Sequence, residues 1–222
     1  MANSTARTGF KLAYNIYGKV EAQVLAYPAG NLRTGAGSEI FIGDVVSLVS
    51  GLVVPALGVA TSGATNVLGV VVGVSAMPGN VVPTALNSMN AAPPFIPENL
   101  QQRSLPIGTS GWVYVIPAAG NVFSTINTTA TTIAQIGALA ALVGTAGTLT
   151  VDTTILHGVN LGSADYTGNS THAISSGAAT PGDCRIVSVY NNFPGTFATG
   201  QTDPSQVNGA VLVMIRNPLF TQ

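Results

Sequence analysis

Charged side chains are scarce in this chain. Asp, Glu, Lys and Arg make up 7% of its 222 residues, against roughly 25% in an ordinary soluble domain. Seven basic and eight acidic residues give a formal net charge of −1, and the basic residues form no run. Direct binding to a nucleic-acid backbone is therefore disfavoured. Because a net charge near zero promotes association, we expect an assembly to cover much of the surface.

Cysteine and histidine are nearly absent as well. Cys184 is the single cysteine, which excludes an intrachain disulfide framework. With only His157 and His172 beside it, a structural zinc site is disfavoured, and we predict no metal or cofactor. Cys184 opens an apolar stretch with no Lys or His near it in sequence, so we expect a buried, unreactive thiol.

Long apolar runs are missing too. The interval from Val45 to Pro97 holds no charged residue, but Ser, Thr, Asn, Gly and Pro interrupt every window of about 20 residues that a spanning helix would need. A transmembrane barrel would need strands of about 9–11 residues and aromatic girdles, whereas aromatics are only 6% of the chain. The N-terminal decapeptide lacks the apolar segment of a signal peptide. We therefore predict no membrane partner and no export by that route.

What the chain does contain is Val- and Gly-rich sequence typical of short strands. In the charge-free interval we predict a turn at Ser50 and Gly51 and three strands, Asp44–Val49, Leu52–Ala56 and Val67–Ser75. Strict alternation in the third would place Leu68, Val70, Val72 and Val74 on one face. Gly69 and Gly73 would lie on the other, where they let another backbone approach closely.

Four further stretches have strand character. They are VEAQVLAY (residues 20–27), GWVYVIPAAGNVFSTI (111–126), CRIVSVY (184–190) and AVLVMIR (210–216). In the second, Trp112, Tyr114 and Ile116 would lie on one apolar face, with Val113 and Val115 on the other. The only helix that we predict is Thr131 to Gly144, where Ile133, Ile136 and Ala140 have helical spacing.

These elements predict an all-β fold, a compact β-barrel or sandwich of short antiparallel strands with a flexible N-terminal arm and a long Pro-rich loop. We place the arm at residues 1–18 and the domain at 19–222. The extended loop covers 77–105, where proline prevents regular pairing, and a polar excursion covers 191–209. Loops of such length are uncommon without a functional role. We therefore expect the loop at 77–105 to reach across a neighbouring subunit.

No arrangement typical of an active site is present. The Gly-rich stretches lack the Lys-Ser/Thr ending of a phosphate loop, and the chain has no GxSxG sequence. Asp152, Asp165, Asp183 and Asp203 are scattered, and Asp183 is most simply a turn residue before a strand. We do not expect an enzyme.

Several stretches, in their order along the chain, resemble a known family. FIGDVVSLVSGLVVPA and NVLGVVVGVSA are followed by GWVYVIPAAGNVFSTI and by DCRIVSVYNN…GAVLVMIRNPLF. Together they resemble the structural cement, or decoration, proteins on the heads of tailed bacteriophages, over about Lys19 to Phe220. The resemblance implies a homotrimeric virion protein on the outer capsid surface that bridges and stabilises neighbouring copies of the major capsid protein. It implies no catalytic residues.

We predict contacts with the capsid or between subunits from rings and prolines on the arm, the loop and the excursion. These candidates are Phe10, Tyr14, Pro93, Phe95, Phe193 and Phe197. Apolar side chains on extended segments are typical of contact with a partner rather than with water.

Three other functions are compatible with parts of the sequence. A carbohydrate- or host-surface-binding module of fibre or adhesin type would need exposed aromatics, but the single tryptophan, Trp112, lies inside a predicted strand. An enzyme of unrecognised type would need acid, base or metal groups that the sequence does not bring together. A major capsid subunit would be expected to be longer and richer in helix.

Overall fold

The computed structural model of the chain describes eleven segments. They are residues 9–16, 23–30, 39–56, 67–76, 104–106, 108–143, 151–152, 165–166, 173–176, 183–189 and 209–216. All statements about the fold refer to these residues. The predicted contact residues Pro93, Phe95, Phe193 and Phe197 lie outside them, as do residues 1–8 of the predicted arm and most of the predicted loop and excursion.

Strands make up most of the described chain. In order they are β1 (Lys11–Asn15), β2 (Leu25–Ala29), β3 (Ile40–Phe41), β4 (Val45–Val49), β5 (Leu52–Pro55), β6 (Val67–Ala76), β7 (Ser104–Leu105), β8 (Gly111–Pro117), β9 (Asn121–Asn127), β10 (Leu139–Val143), β11 (Val151–Asp152), β12 (Asp165–Tyr166), β13 (Ala173–Ser176), β14 (Cys184–Val189) and β15 (Gly209–Ile215). A 3₁₀ turn at Ile133–Gln135 is the only helical element in the described segments. The all-β prediction is confirmed.

Five strands close into a small barrel. Their order is β9-β13-β10-β14-β15, and β15 pairs with β9 to complete the ring. All these pairings are antiparallel except that of β13 with β9, which is parallel. Strand β1 lies outside the ring and pairs with residues 121–124 of β9. Strand β13 pairs with the same edge of β9 nearer its C-terminal end, at Asn127.

Five further strands form a curved sheet that packs against the barrel. Its order is β2-β8-β6-β4-β5. The ends of its two outer strands come close to each other, because a Cβ placed on Gly30, just after β2, would lie 2.9 Å from Leu52 Cδ1 on β5. Two short ribbons, β3 with β7 and β11 with β12, complete the pairings described.

Two apolar clusters hold these sheets. The larger cluster fills the barrel with residues such as Phe123, Ile186 and Val213, and the curved sheet adds side chains such as Val70. The smaller cluster lies against the curved sheet and includes Val113. In β8 both predicted faces are buried, as its sequence indicated.

Strand β6 does not keep the single apolar face that alternation predicted. Val70 and Val72 join the larger cluster, whereas Leu68 and Val74 join the smaller one. The reason is that the pairing of β6 skips Leu68 opposite β4 and Val72 opposite β8. Each bulge inserts one residue and so reverses which side of the sheet the next side chain faces.

Gly69 in β6 has the role that its sequence position predicted. A Cβ atom at Gly69 would clash with the carbonyl group of Ile116 on β8, at 2.8 Å from its carbon atom. Only a residue without a side chain allows the two backbones to approach this closely.

The predicted turn between β4 and β5 is also confirmed. Ser50 has φ 52° and Gly51 has φ 80°, and Val49 pairs with Leu52 across this two-residue connection. Two consecutive positive φ values are typical of the tight turn whose twist matches that of the flanking strands.

The helix predicted at Thr131 to Gly144 is wrong. The segment begins with the 3₁₀ turn and ends as β10, with Gly137 at φ 87° between them. Gly137 N–H donates to the Ile186 carbonyl at 2.8 Å, and Ile186 N–H donates to Ala138. As a strand, the segment buries Ala140 and Leu142 in the barrel core and pairs with β14. Burial and pairing together outweigh the weak helical preference of the sequence.

The ends of two predicted irregular regions belong to the sheets. Residues 11–15 of the predicted arm (residues 1–18) form β1. Leu105, placed in the loop of 77–105, is buried in β7 and pairs with Ile40. Among the described residues no helix has the length and apolarity needed to cross a membrane.

Candidate docking surface

Two exposed apolar side chains lie next to each other at the end of β1 and just after it. Tyr14 is 43% exposed and Ile16 is 47% exposed. In the described part of the chain β1 pairs only with β9, so its other side is an edge of the sheet. An exposed edge with apolar side chains is a common site for association with another chain.

A shallow groove of about 370 Å³ runs beside this edge. We call it the β1 groove, and it is lined by residues 12–14 of β1 and by Ser124, Ser188, Val189 and Leu212. Ser124 Oγ donates to the Lys11 carbonyl at 3.4 Å, and Ser188 Oγ donates to the Val189 carbonyl at 3.3 Å. Since both hydroxyl protons are used on the protein's own backbone, the groove combines apolar side chains with polar groups that are already hydrogen-bonded.

Strand β1 is held firmly against the barrel. Phe10 N–H donates to the Gly43 carbonyl at 2.8 Å, and Asn15 Nδ2 donates to Asn121 Oδ1 at 3.0 Å. Ile16 N–H donates to the Gly120 carbonyl at 3.0 Å. With both ends fixed in this way, β1 presents Tyr14 at a defined position and loses little further entropy on binding.

The turn that receives Phe10 is itself built around a buried carboxylate. Asp44 is 3% exposed, and its Oδ2 accepts a hydrogen bond from Phe41 N–H at 2.8 Å. Its backbone carbonyl accepts one from Val71 N–H at 2.9 Å, beside the second bulge of β6. The turn therefore links β1 to the curved sheet.

Two more apolar side chains project from the 3₁₀ turn region. Ile133 is 70% exposed and Ile136 is 45% exposed. Val49, at the hairpin between β4 and β5, is 57% exposed. These positions were not among the predicted contacts, because the sequence pattern assigned the two isoleucines to the apolar face of a helix and Val49 to a strand.

Of the two predicted contact residues that can be placed, only Tyr14 is accessible. Phe10 is 2% exposed and packs in the larger core cluster, so the prediction of a contact with a partner is wrong for this residue. The polar residues before Phe10 indicated a flexible arm. The phenyl ring nevertheless packs in the core, because burying its apolar surface stabilises the fold and leaving it in water would not.

No group of three or more His, Cys, Asp or Glu side chains capable of holding a metal ion occurs among the described residues. His157 and His172 lie outside those residues. Cys184 is 1% exposed, as predicted for a core thiol. Burial, and after it the neighbouring Asp183 carboxylate, raises the pKa of this thiol well above its ordinary value of 9.0.

This burial predicts a loss of stability in alkaline solution. In the folded chain Cys184 keeps its proton, whereas in the unfolded chain it ionises near its ordinary pKa of 9.0. Burial likewise raises the pKa of Tyr27 and Tyr114 above 10.0. Above about pH 9 the unfolded chain therefore binds fewer protons than the folded chain, and the free energy of unfolding should fall as the pH rises. At neutral pH these groups are protonated in both states and should not affect it.

Urea denaturation from about pH 8 to about pH 11 measures this slope. Cys184→Ala should remove the thiol's share of the slope, whatever its effect on overall stability. A slope unchanged by that substitution would contradict the assignment of the thiol as a contributor.

A scan against protein-family models and searches of curated proteins and of solved structures found no match to this chain. The function is therefore inferred from the residues and the surface described above.

Proposed function

We propose that the chain is a virion structural protein that binds the outside of a tailed-phage capsid and bridges neighbouring copies of the major capsid protein. The observation that carries the proposal is the fixed β1 edge, where Tyr14 and Ile16 are exposed in a chain with only 7% charged residues. The resemblance of its sequence to capsid cement proteins supports the same conclusion.

The β1 groove fits a protein partner better than a charged ligand. The side chains that line the groove are apolar or carry a hydroxyl group, and none is charged. Lys11, the only charged residue of β1, is not part of the lining. An edge strand can also extend its sheet with a segment of a partner, which adds backbone hydrogen bonds to side-chain contact. A stable interface of this kind buries about 1,200–2,000 Å² in total, so further contacts must join the groove.

Stabilisation would follow from binding equilibrium. A protein that binds only the mature shell adds RT ln(1 + [L]/Kd) of stability at each site, and the effect is repeated over the lattice. If the chain is a homotrimer, as we propose, one trimer would contact several capsid subunits, and linked contacts would raise its apparent affinity.

The test mixes purified protein with expanded and with unexpanded shells assembled from a tailed-phage major capsid protein. We expect the protein to sediment with one form only. Failure to sediment with either form would overturn the proposed function. Sedimentation equilibrium of the free protein would separately show whether a trimer exists before docking.

Paired variants locate the contact. Ile16→Asp places a charge at the β1 edge and should weaken shell binding by about tenfold or more. Docking would bury the new carboxylate in the interface without a positively charged partner. Val49→Asp makes the same chemical change at an exposed valine on the curved sheet and serves as the matched control. Equal binding by the two variants would show that β1 is not the docking strand.

A carbohydrate- or host-binding module is the alternative. Trp112 is 2% exposed, so it offers no ring to a sugar, and Tyr14 is left as the exposed aromatic of the groove. Specific binding to a glycan array by a protein that ignores both shell forms would favour this alternative. The Tyr14→Ala variant would then lose the glycan signal.

A further inference from the structure

The closure of the barrel between β9 and β13 has fewer register pairs than any other joint of the ring, the next shortest being the two pairs between β10 and β14. The pairing of β9 with β15 runs from Gly209 to Met214, whereas β9 and β13 share a single register pair, Asn127 with Ile174. Thr128 N–H donates to the Ile174 carbonyl at 2.8 Å and adds one backbone bond. Most of this joint must therefore be held by something other than a ladder.

The side chain of Asn127 supplies the missing bonds. Its Nδ2 donates to Ser176 Oγ at 2.7 Å and to Thr131 Oγ1 at 2.6 Å. Its Oδ1 accepts a hydrogen bond from Ser176 N–H at 3.1 Å. The side-chain amide thus takes the place of a neighbouring peptide group at the end of β13.

The bonds around Ser176 extend to the turn that follows β9. Thr129 Oγ1 lies 2.7 Å from Ser176 Oγ, and Gln135 Nε2 donates to Ser176 Oγ at 3.2 Å. Asn127 is fully buried and Ser176 is 6% exposed. Removing the Asn127 side chain would take from the buried Ser176 N–H the acceptor described above, and losing the acceptor of a buried donor costs more than the bond itself contributes.

We propose that Asn127 is a latch for the barrel: its side chain holds β13 against β9, and when these bonds break the joint opens while the remaining ladders stay closed. Opening frees part of the edge of β9 that lies next to β1, because β1 and β13 occupy that edge in succession. The latch at Asn127 does not depend on the proposed capsid function.

Hydrogen exchange of the full chain tests the latch in the unaltered protein. We expect the Ser176 and Thr128 amides to exchange through a local opening, with a weaker dependence on added denaturant than the β15 amides bonded to β9. An equal denaturant dependence for both groups would mean that the joint opens only by global unfolding, and it would overturn the proposal.

A variant gives the second test. Asn127→Ala should lower the protection of the Ser176 amide by about tenfold or more relative to the β15 amides. Asn121→Ala is the matched control, since Asn121 is a buried asparagine of the same strand that bonds Asn15 and the Pro117 carbonyl instead. Equal effects of the two variants at Ser176 would contradict the latch.

If Asn127→Ala does not fold, Thr131→Val removes one acceptor of the amide and preserves the size of the side chain. It should lower Ser176 protection in the same direction by a smaller factor. Unchanged relative protection in this variant, together with equal denaturant dependence in the unaltered protein, would refute the proposal.

Discussion

Gly69→Ala should destabilise the folded chain by about 3 kcal/mol, as expected when an atom is forced into a closely packed site. The new methyl group would meet the Ile116 carbonyl group at a distance that backbone atoms do not tolerate. To relieve the clash, β6 and β8 would have to separate at the centre of the curved sheet. Urea denaturation followed by circular dichroism measures the change.

Gly137→Ala is the control for this experiment. Gly137 has φ 87° and open space around the position of a Cβ, so the substitution carries only the strain of a left-handed backbone. That strain is about 1 kcal/mol. If both variants lose the same stability, the close approach at Gly69 is not the cause.

Phe10→Ala should have an effect of similar or greater size, about 3–5 kcal/mol, because it removes a large ring from the core. Phe10 is 2% exposed and packs in the cluster that fills the barrel. Thermal or urea unfolding of the variant measures the loss. A phenyl ring on a solvent-exposed arm would cost almost nothing to remove, so the result distinguishes the two placements of this residue.

Tyr14→Ala provides the comparison within the same segment. Its ring is 43% exposed, and its removal should cost less than about 1 kcal/mol. We expect Tyr14→Ala to affect shell binding more than stability, and Phe10→Ala to affect stability first. The opposite pattern would reverse our assignment of core and surface roles along β1.

The docking proposal and the latch concern two parts of one sheet edge. Strand β1 covers β9 from Asn121 to Ser124, and β13 reaches β9 at Asn127. Between them Thr125 Oγ1 donates to the Gly9 carbonyl at 3.4 Å. Opening at the latch would thus lengthen the accessible edge beside the β1 groove, and exchange measurements with and without shells would show whether binding alters that opening.

Several features followed from the sequence alone because their causes are local. Val-rich segments bounded by turn residues predicted β4, β5 and β6, and the Ser50–Gly51 pair predicted the tight turn. The glycine at position 69 indicated close backbone approach, and the apolar start of β14 indicated a buried Cys184. Each depends on a residue's own conformational range or on its immediate neighbours.

Of the candidate site, the sequence identified Tyr14 but neither the groove nor Ile16. Ser124, Ser188 and Leu212 come from three strands that are distant along the chain, and only their pairing brings them beside β1. No spacing in the sequence could reveal that proximity. The exposure of Ile133 was missed for the related reason that a wrong helix gave it a buried face.

The amino-acid sequence by itself determined that the fold is all-β. The preferences of β-branched residues for strands and of turn residues for turns are local, so they can be recognised from a few neighbouring positions. Tertiary pairing decided the rest: the bulges that reverse the faces of β6, the strand that replaced a helix at Leu139–Val143, and the burial of Phe10 against a barrel formed by later residues. These outcomes depend on partners far away in sequence, whose packing and hydrogen bonds outweigh local preference.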